Sequence, residues 1–139
     1  MLKKIANYLK IDPKRIFVLD GLGALFTAFS LGVVLVKLDY IFGIPRTSLI
    51  ILSIIPLFYF LYDCFCYFKA KNNIGFYIKG IAILNLLYCP ISVGFHLYNG
   101  DSITLVGWIY IVIEIIGVAA IAILEFKFAN KLITPSKTY

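Results

Sequence analysis

A chain of 139 residues that is 62% hydrophobic and only 14% charged lacks the makeup of a soluble domain, which runs at about 45–50% apolar and about 25% charged. A soluble fold of this size exposes too large a share of its area to hide so many apolar side chains, so lipid is the expected solvent. The net charge of +6 does not imply a nucleic-acid partner, because Lys and Arg collect at the ends of apolar runs, where they act as topology signals.

In chain order, the opening stretch MLKKIANYLKI places Leu2, Ile5, Ala6 and Leu9 on one face and Lys3, Lys4 and Lys10 around the other. This predicts a short amphipathic helix over residues 2–11, lying in the membrane interface and ended by Asp12-Pro13. Four apolar runs follow, at residues 16–36, 47–68, 74–97 and 103–126. Each is long enough for a helix to cross a hydrocarbon core of about 30 Å, which takes about 20 residues. Uninterrupted runs of this kind favour helices over the alternating pattern of a barrel. The first run is too long for a signal h-region, carries Asp20 near its start and precedes no small-x-small cleavage site, so it is expected to be retained. The connectors KLDYIFGIPR, KAKNN and YNGDS each hold a turn residue, and such short loops predict consecutive helices lying antiparallel. The expected fold is therefore all-α: a single membrane domain over 1–139, built as a four-transmembrane-helix antiparallel bundle with an N-terminal interfacial helix.

Orientation follows from the basic residues. Lys3, Lys4, Lys10, Lys14, Arg15, Lys69, Lys71, Lys79, Lys127, Lys131 and Lys137 fall on one side of the predicted spans, and Lys37 and Arg46 on the other. Eleven against two predicts a multi-pass protein of the cell membrane (the inner membrane in a bacterium) with both termini cytoplasmic. Cys64, Cys66 and Cys89 form no disulfide framework. Cys64 and Cys66 are two residues apart, point to opposite sides of a helix and cannot share a metal. They are expected to be free, small, buried hydrophobes, and His96 to be an interfacial histidine.

Polar residues recur at helical spacing in every run. Asp20, Gly23, Thr27 and Ser30 share one face of the first, beside a small-residue row of Ala24, Ala28 and Gly32 that invites close helix approach. Ser53, Pro56, Tyr59 or Phe60, and Asp63 share a face of the second; Asn85, Cys89, Ser92 and His96 of the third; Gly107, Tyr110 or Ile111, Glu114, Gly117, Ile121 and Glu125 of the fourth. Four stripes imply a bundle whose polar faces point inward. At a rise of 1.5 Å per residue, Asp20 lies about 6 Å and Asp63 about 8 Å from the cytoplasmic edge, Asn85 beyond about 12 Å and Glu114 about 18 Å deep. A charge near the midplane costs at least ~2.5–3.5 kcal/mol. Such a carboxylate must hold a proton, meet a cation or water, or hydrogen-bond to neighbours such as Asn85 and Tyr88. Pro56 and Pro90 interrupt two of the helices, freeing the carbonyls of Leu52 and Leu86 and opening space between helices.

With DGLGALFTAFSLGVVL, LYDCFCY and NLLYC on view, the chain resembles the small four-helix integral membrane proteins of bacteria. That resemblance covers most of residues 16–126 and implies the fold, with no established activity. It departs from the four-helix multidrug transporters, whose embedded glutamate lies in the first helix, whereas the deepest acid here is Glu114 in the fourth.

No Ser/His/Asp set, metal-spaced His/Glu motif or phosphate loop is present, so no catalytic residue, metal ligand or cofactor is expected. The site expected is a polar pocket open to the cytoplasm, with Glu114 at its floor, Asn85 beside it and Asp20 and Asp63 nearer the mouth. It would bind or transport a proton, a cation or a small amphiphile. The alternative is an accessory membrane subunit whose polar groups only hold the fold, packed against a second copy or another membrane protein. The partner common to both is the lipid bilayer.

Overall fold

A computed structural model describes residues 12–134; the expected interfacial helix at 2–11 lies outside them. The described residues form helices joined by short turns. Helix α1 (Arg15–Phe29) continues directly into a π-helical segment (Ser30–Leu35), and α2 is a single turn (Asp39–Phe42). Helices α3 (Arg46–Lys69) and α4 (Ile74–Tyr98) follow, then a 3-10 turn (Gly100–Ser102) and α5 (Leu105–Ile133). Among the described residues four helices, α1 with its π segment, α3, α4 and α5, are long and apolar enough to cross a membrane. Their outward faces are greasy. Phe26, Phe58, Phe76 and Ile113 are all more than 60% exposed, an arrangement that water penalises and lipid does not.

The chain departs from the expected boundaries chiefly at its end. Lys127 suggests a stop after Phe126, yet α5 runs on to Ile133. Lys127 and Lys131 lie on the exposed face, while Ala129 is fully buried. A helix tolerates charge wherever its other face still packs. That face packs against Gly75, where an added Cβ would press on Leu132, Ile133 and the Ala129 carbonyl at 3.0–3.1 Å. Pro56 and Pro90 sit inside α3 and α4 without ending them.

Helix α1 packs along α3, and α4 along α5; α3 and α4 join the two pairs, while α1 and α5 barely touch. The close contacts set the register. Gly21 meets Phe60 and Asp63, and Gly32 meets Ser53 with only 3.0 Å between its missing Cβ and the Ser53 hydroxyl. The Tyr59 hydroxyl donates to the Leu84 carbonyl at 2.8 Å, and the Asn99 amide to the Ser48 hydroxyl at 3.0 Å. The apolar interior comes in two layers. One holds Leu31, Leu35, Leu49, Leu52, Tyr88 and Ile111, toward the α1–α3 and α4–α5 connections. The other holds Ile16, Phe17, Cys66, Ile78, Ile81 and Ala129, toward the opposite end.

The connections themselves are stitched together. The Thr104 amide donates to the Phe42 carbonyl at 3.0 Å, its hydroxyl donates to the Ile41 carbonyl at 2.7 Å, and the same oxygen caps α5 by accepting from the Gly107 amide at 3.1 Å. Gly43 ends α2 at φ +67°, a left-handed conformation that glycine adopts without steric cost. A Cβ on Gly43 would collide with the Ser102 carbonyl, and one on Gly107 with the Phe42 carbonyl. Asp39 and Arg46 form an ion pair beside this turn, and the Arg46 hydrogen bond holds the Asp39 carboxyl below the usual aspartate range.

His96, expected at the interface from its place near the end of the run, turns inward and is only 1% exposed. Its Nδ1 lies 2.6 Å from the Ser92 carbonyl, which can only accept, so Nδ1 carries the proton. Cys64, Cys66 and Cys89 are free thiols, with Cys66 wholly buried.

Candidate functional site

Because α1 and α5 diverge, a cavity of about 350 Å³ opens between them, backed by α3 and α4. The polar face expected for the first helix lines it: Asp20, Gly23, Thr27 and Ser30 all border this space. Glu114, Gly117 and Ile121 line it from α5, Asn85 and Tyr88 from α4, and Pro56 and Tyr59 from α3. Its rim is apolar, formed by Leu19, Phe26, Ile113 and Ile121, each exposed on the outer face of α1 or α5.

The acids occupy two levels. At the first, Glu114 accepts from the Tyr88 hydroxyl at 2.9 Å through Oε1, while its buried Oε2 has no partner. At the second, the Asn85 amide donates to Asp20 Oδ1 at 3.0 Å and to Glu125 Oε2 at 3.1 Å. Asp63 stands behind Asp20, outside the cavity wall, 2% exposed and with both carboxylate oxygens lacking a partner. Asp20 Oδ2 is likewise buried and unpartnered. Asp63 reaches this position because Gly21 carries no side chain: a Cβ there would sit 3.6 Å from Asp63 Oδ2.

Of the four residues singled out from sequence, Asp20, Asn85 and Glu114 line one cavity, while Asp63 joins Asp20 from behind. Asn85 bonds to Asp20 and Glu125 rather than to Glu114. The sequence places Glu125 on the inward polar face of the fourth helix without assigning it to the pocket. Helix α5 extends two further turns past Phe126 and buries it to 5% exposure. The signal was its spacing, eleven residues after Glu114 and so on nearly the same helix face. The expected opening toward the cytoplasm also meets an obstacle. The layer of Ile16, Phe17, Cys66, Ala70, Ile78, Ile81 and Ala129 caps the second acid level on the side of the chain termini. The gap that remains lies sideways, between α1 and α5.

Among the described residues, no group of three His, Cys, Asp or Glu side chains is arranged to hold a metal ion. Comparison with protein-family models, with curated proteins and with solved structures finds no match to this chain. A functional reading therefore rests on the site's own chemistry.

Proposed function

We propose that the chain is a multi-pass membrane protein, an antiparallel four-helix bundle with both termini in the cytoplasm, whose cavity binds a small cationic amphiphile. The topology rests on the eleven-to-two bias of Lys and Arg. The ligand class rests on one observation: two acids, Asp20 and Glu114, border a cavity whose rim is apolar and exposed along α1 and α5. An amine or onium head group offers the orphaned carboxylate oxygens the charge they lack, and its apolar body matches the rim. Tyr59, Tyr88 and Tyr110 along the wall add aromatic faces to which a cation is attracted. A ligand dissolved in the bilayer reaches this space sideways without crossing water. The competing reading, an accessory subunit with a dry, packed interior, is disfavoured by the space beside Glu114.

Tetraphenylphosphonium binding to the protein in lipid nanodiscs, followed by equilibrium dialysis, tests the proposal. Saturable binding that weakens at least tenfold in Glu114→Gln is expected. Absence of saturable binding, or equal affinity in that variant, overturns the reading. A C-terminal tag accessible from outside intact cells overturns the topology.

A further inference from the structure

The cavity reading makes no use of Asp63 or Glu125, and these are the most deeply buried acids of the chain, at 2% and 5% exposure. On each long helix an apolar position closes the acid level on one side: Phe17 beside Asp20 on α1, Cys66 beside Asp63 on α3, Ile81 beside Asn85 on α4 and Ala129 beside Glu125 on α5. On the other side Asp20, itself half-buried, faces the cavity. The amide at this level, Asn85, gives its two bonds to Asp20 and Glu125. Asp63 receives none.

The groups facing one another define what can satisfy them. Asp63 is faced by Asp20 from α1 and by Glu125 from α5, with Tyr62 and Cys66 near it on α3. Glu125 is faced by Asp20 and by Asn85 of α4. Asp20 lies within carboxyl–carboxyl hydrogen-bonding reach of both other acids. Two ionised carboxylates at such a contact offer only acceptors and repel each other. One proton placed in the contact turns it into a charge-assisted O–H···O⁻ bond and removes a buried charge. A metal is not the alternative here, since the geometry of these acids does not converge on a coordination centre.

We infer that Asp20, Asp63 and Glu125, with Asn85 bonded to the first and the last, form a site that holds exchangeable protons and communicates with the membrane-facing cavity through Asp20. Asp20 is the only one of the three carboxyls that also lines the cavity. A proton leaves by breaking the O–H bond of Asp63 or Glu125 and forming one on Asp20, which then releases it to a water molecule that enters the cavity, forming hydronium. The electron pair of each broken bond stays on the oxygen, and no oxidant or reductant takes part. A cation in the cavity stabilises ionised Asp20 and so favours release; this coupling rests on the function proposed above and shares Asp20 with it.

Infrared spectroscopy of the ligand-free protein in nanodiscs tests the proton site directly, because the carbonyl stretch of a carboxylic acid is absent from a carboxylate. With Glu114→Gln as background, a carboxylic-acid band is expected to persist at neutral pH and to lose intensity in Asp63→Asn and in Glu125→Gln. If those variants fail to give monodisperse protein, the background spectrum alone decides: its embedded acids are Asp20, Asp63 and Glu125, and a missing band overturns the inference. A band that both substitutions leave unchanged overturns it equally. Proton release into weak buffer on adding tetraphenylphosphonium to the wild type then tests the coupling: release that disappears in Asp63→Asn, with binding kept, supports it, and undiminished release overturns it. Failure of the phosphonium to bind removes the cavity reading and leaves the infrared result standing.

Discussion

Two regions of the helical assembly treat polar groups in opposite ways. Where the connections meet, Thr104 alone makes two hydrogen bonds to α2 and a third that caps α5, and Asn99 joins α4 to α3 through Ser48. In the acid level, Asp63 has no partner for either oxygen and Asp20 lacks one for Oδ2. A polar group that is fully paired stabilises a fold at little risk; an unpaired one costs about 1–3 kcal/mol and more when charged. The connections read as the part that holds the structure together, and the acid level as the part that is incomplete without a proton or a ligand. His96 stands between the two cases, with Nδ1 bonded to Ser92 and Nε2 unpartnered.

The contrast breaks if the connections prove dispensable. Gly107→Ala places a methyl against the Phe42 carbonyl, and backbone cannot rotate away as a side chain can. Its cost is expected at the upper end of over-packing, about 3 kcal/mol, read as a large fall in the thermal midpoint in detergent. A wild-type midpoint would mean that the α2–α5 contact carries no stability. Thr104→Ala removes the cap of α5 and the bond to Ile41 together, and a loss of about 1–2 kcal/mol follows. Restoration by Thr104→Ser, which keeps the hydroxyl, would tie that loss to the hydrogen bonds.

The acid level makes the opposite forecast. Asp63→Asn leaves the shape unchanged, deletes a buried carboxyl and supplies an amide donor toward Asp20, so the midpoint is expected to hold or rise. A fall comparable to that of Gly107→Ala would assign Asp63 a structural task instead. The smallest effect belongs to Asp39, whose carboxyl the exposed Arg46 hydrogen bond holds below the usual aspartate range. A lowered carboxylate contributes stability above its unfolded-state value and loses it as pH falls through the folded one. Acid titration of the Asp39 carboxyl by NMR should therefore show a midpoint that moves up in Arg46→Gln. At this exposure the change in overall stability should be slight.

Much of the site could be read before any coordinates. Asp20, Thr27 and Ser30 fall on one helical face, and that face does line the cavity. Glu125 shows why the rest could not. Its spacing from Glu114 was visible, but its burial depends on α5 continuing past two lysines, and only the contact of Ala129 and Leu132 with Gly75 explains that. His96 has the same history: closeness to a run's end says nothing about whether its side chain turns inward.

The linear chain determined the four apolar helices and the direction of each polar face, because both follow from local hydropathy and a period of 3.6 residues. Tertiary structure alone decided that α1 would lie along α3 and α4 along α5, leaving α1 and α5 apart. That choice turns on a few close approaches, Gly21 to Asp63, Gly32 to Ser53 and Gly75 to Ala129. Glycine lets two backbones meet wherever a neighbour supplies the matching surface, and which neighbour that is cannot be read from one helix at a time. The same pairing buries Asp63 and Glu125 and leaves the cavity open at the side.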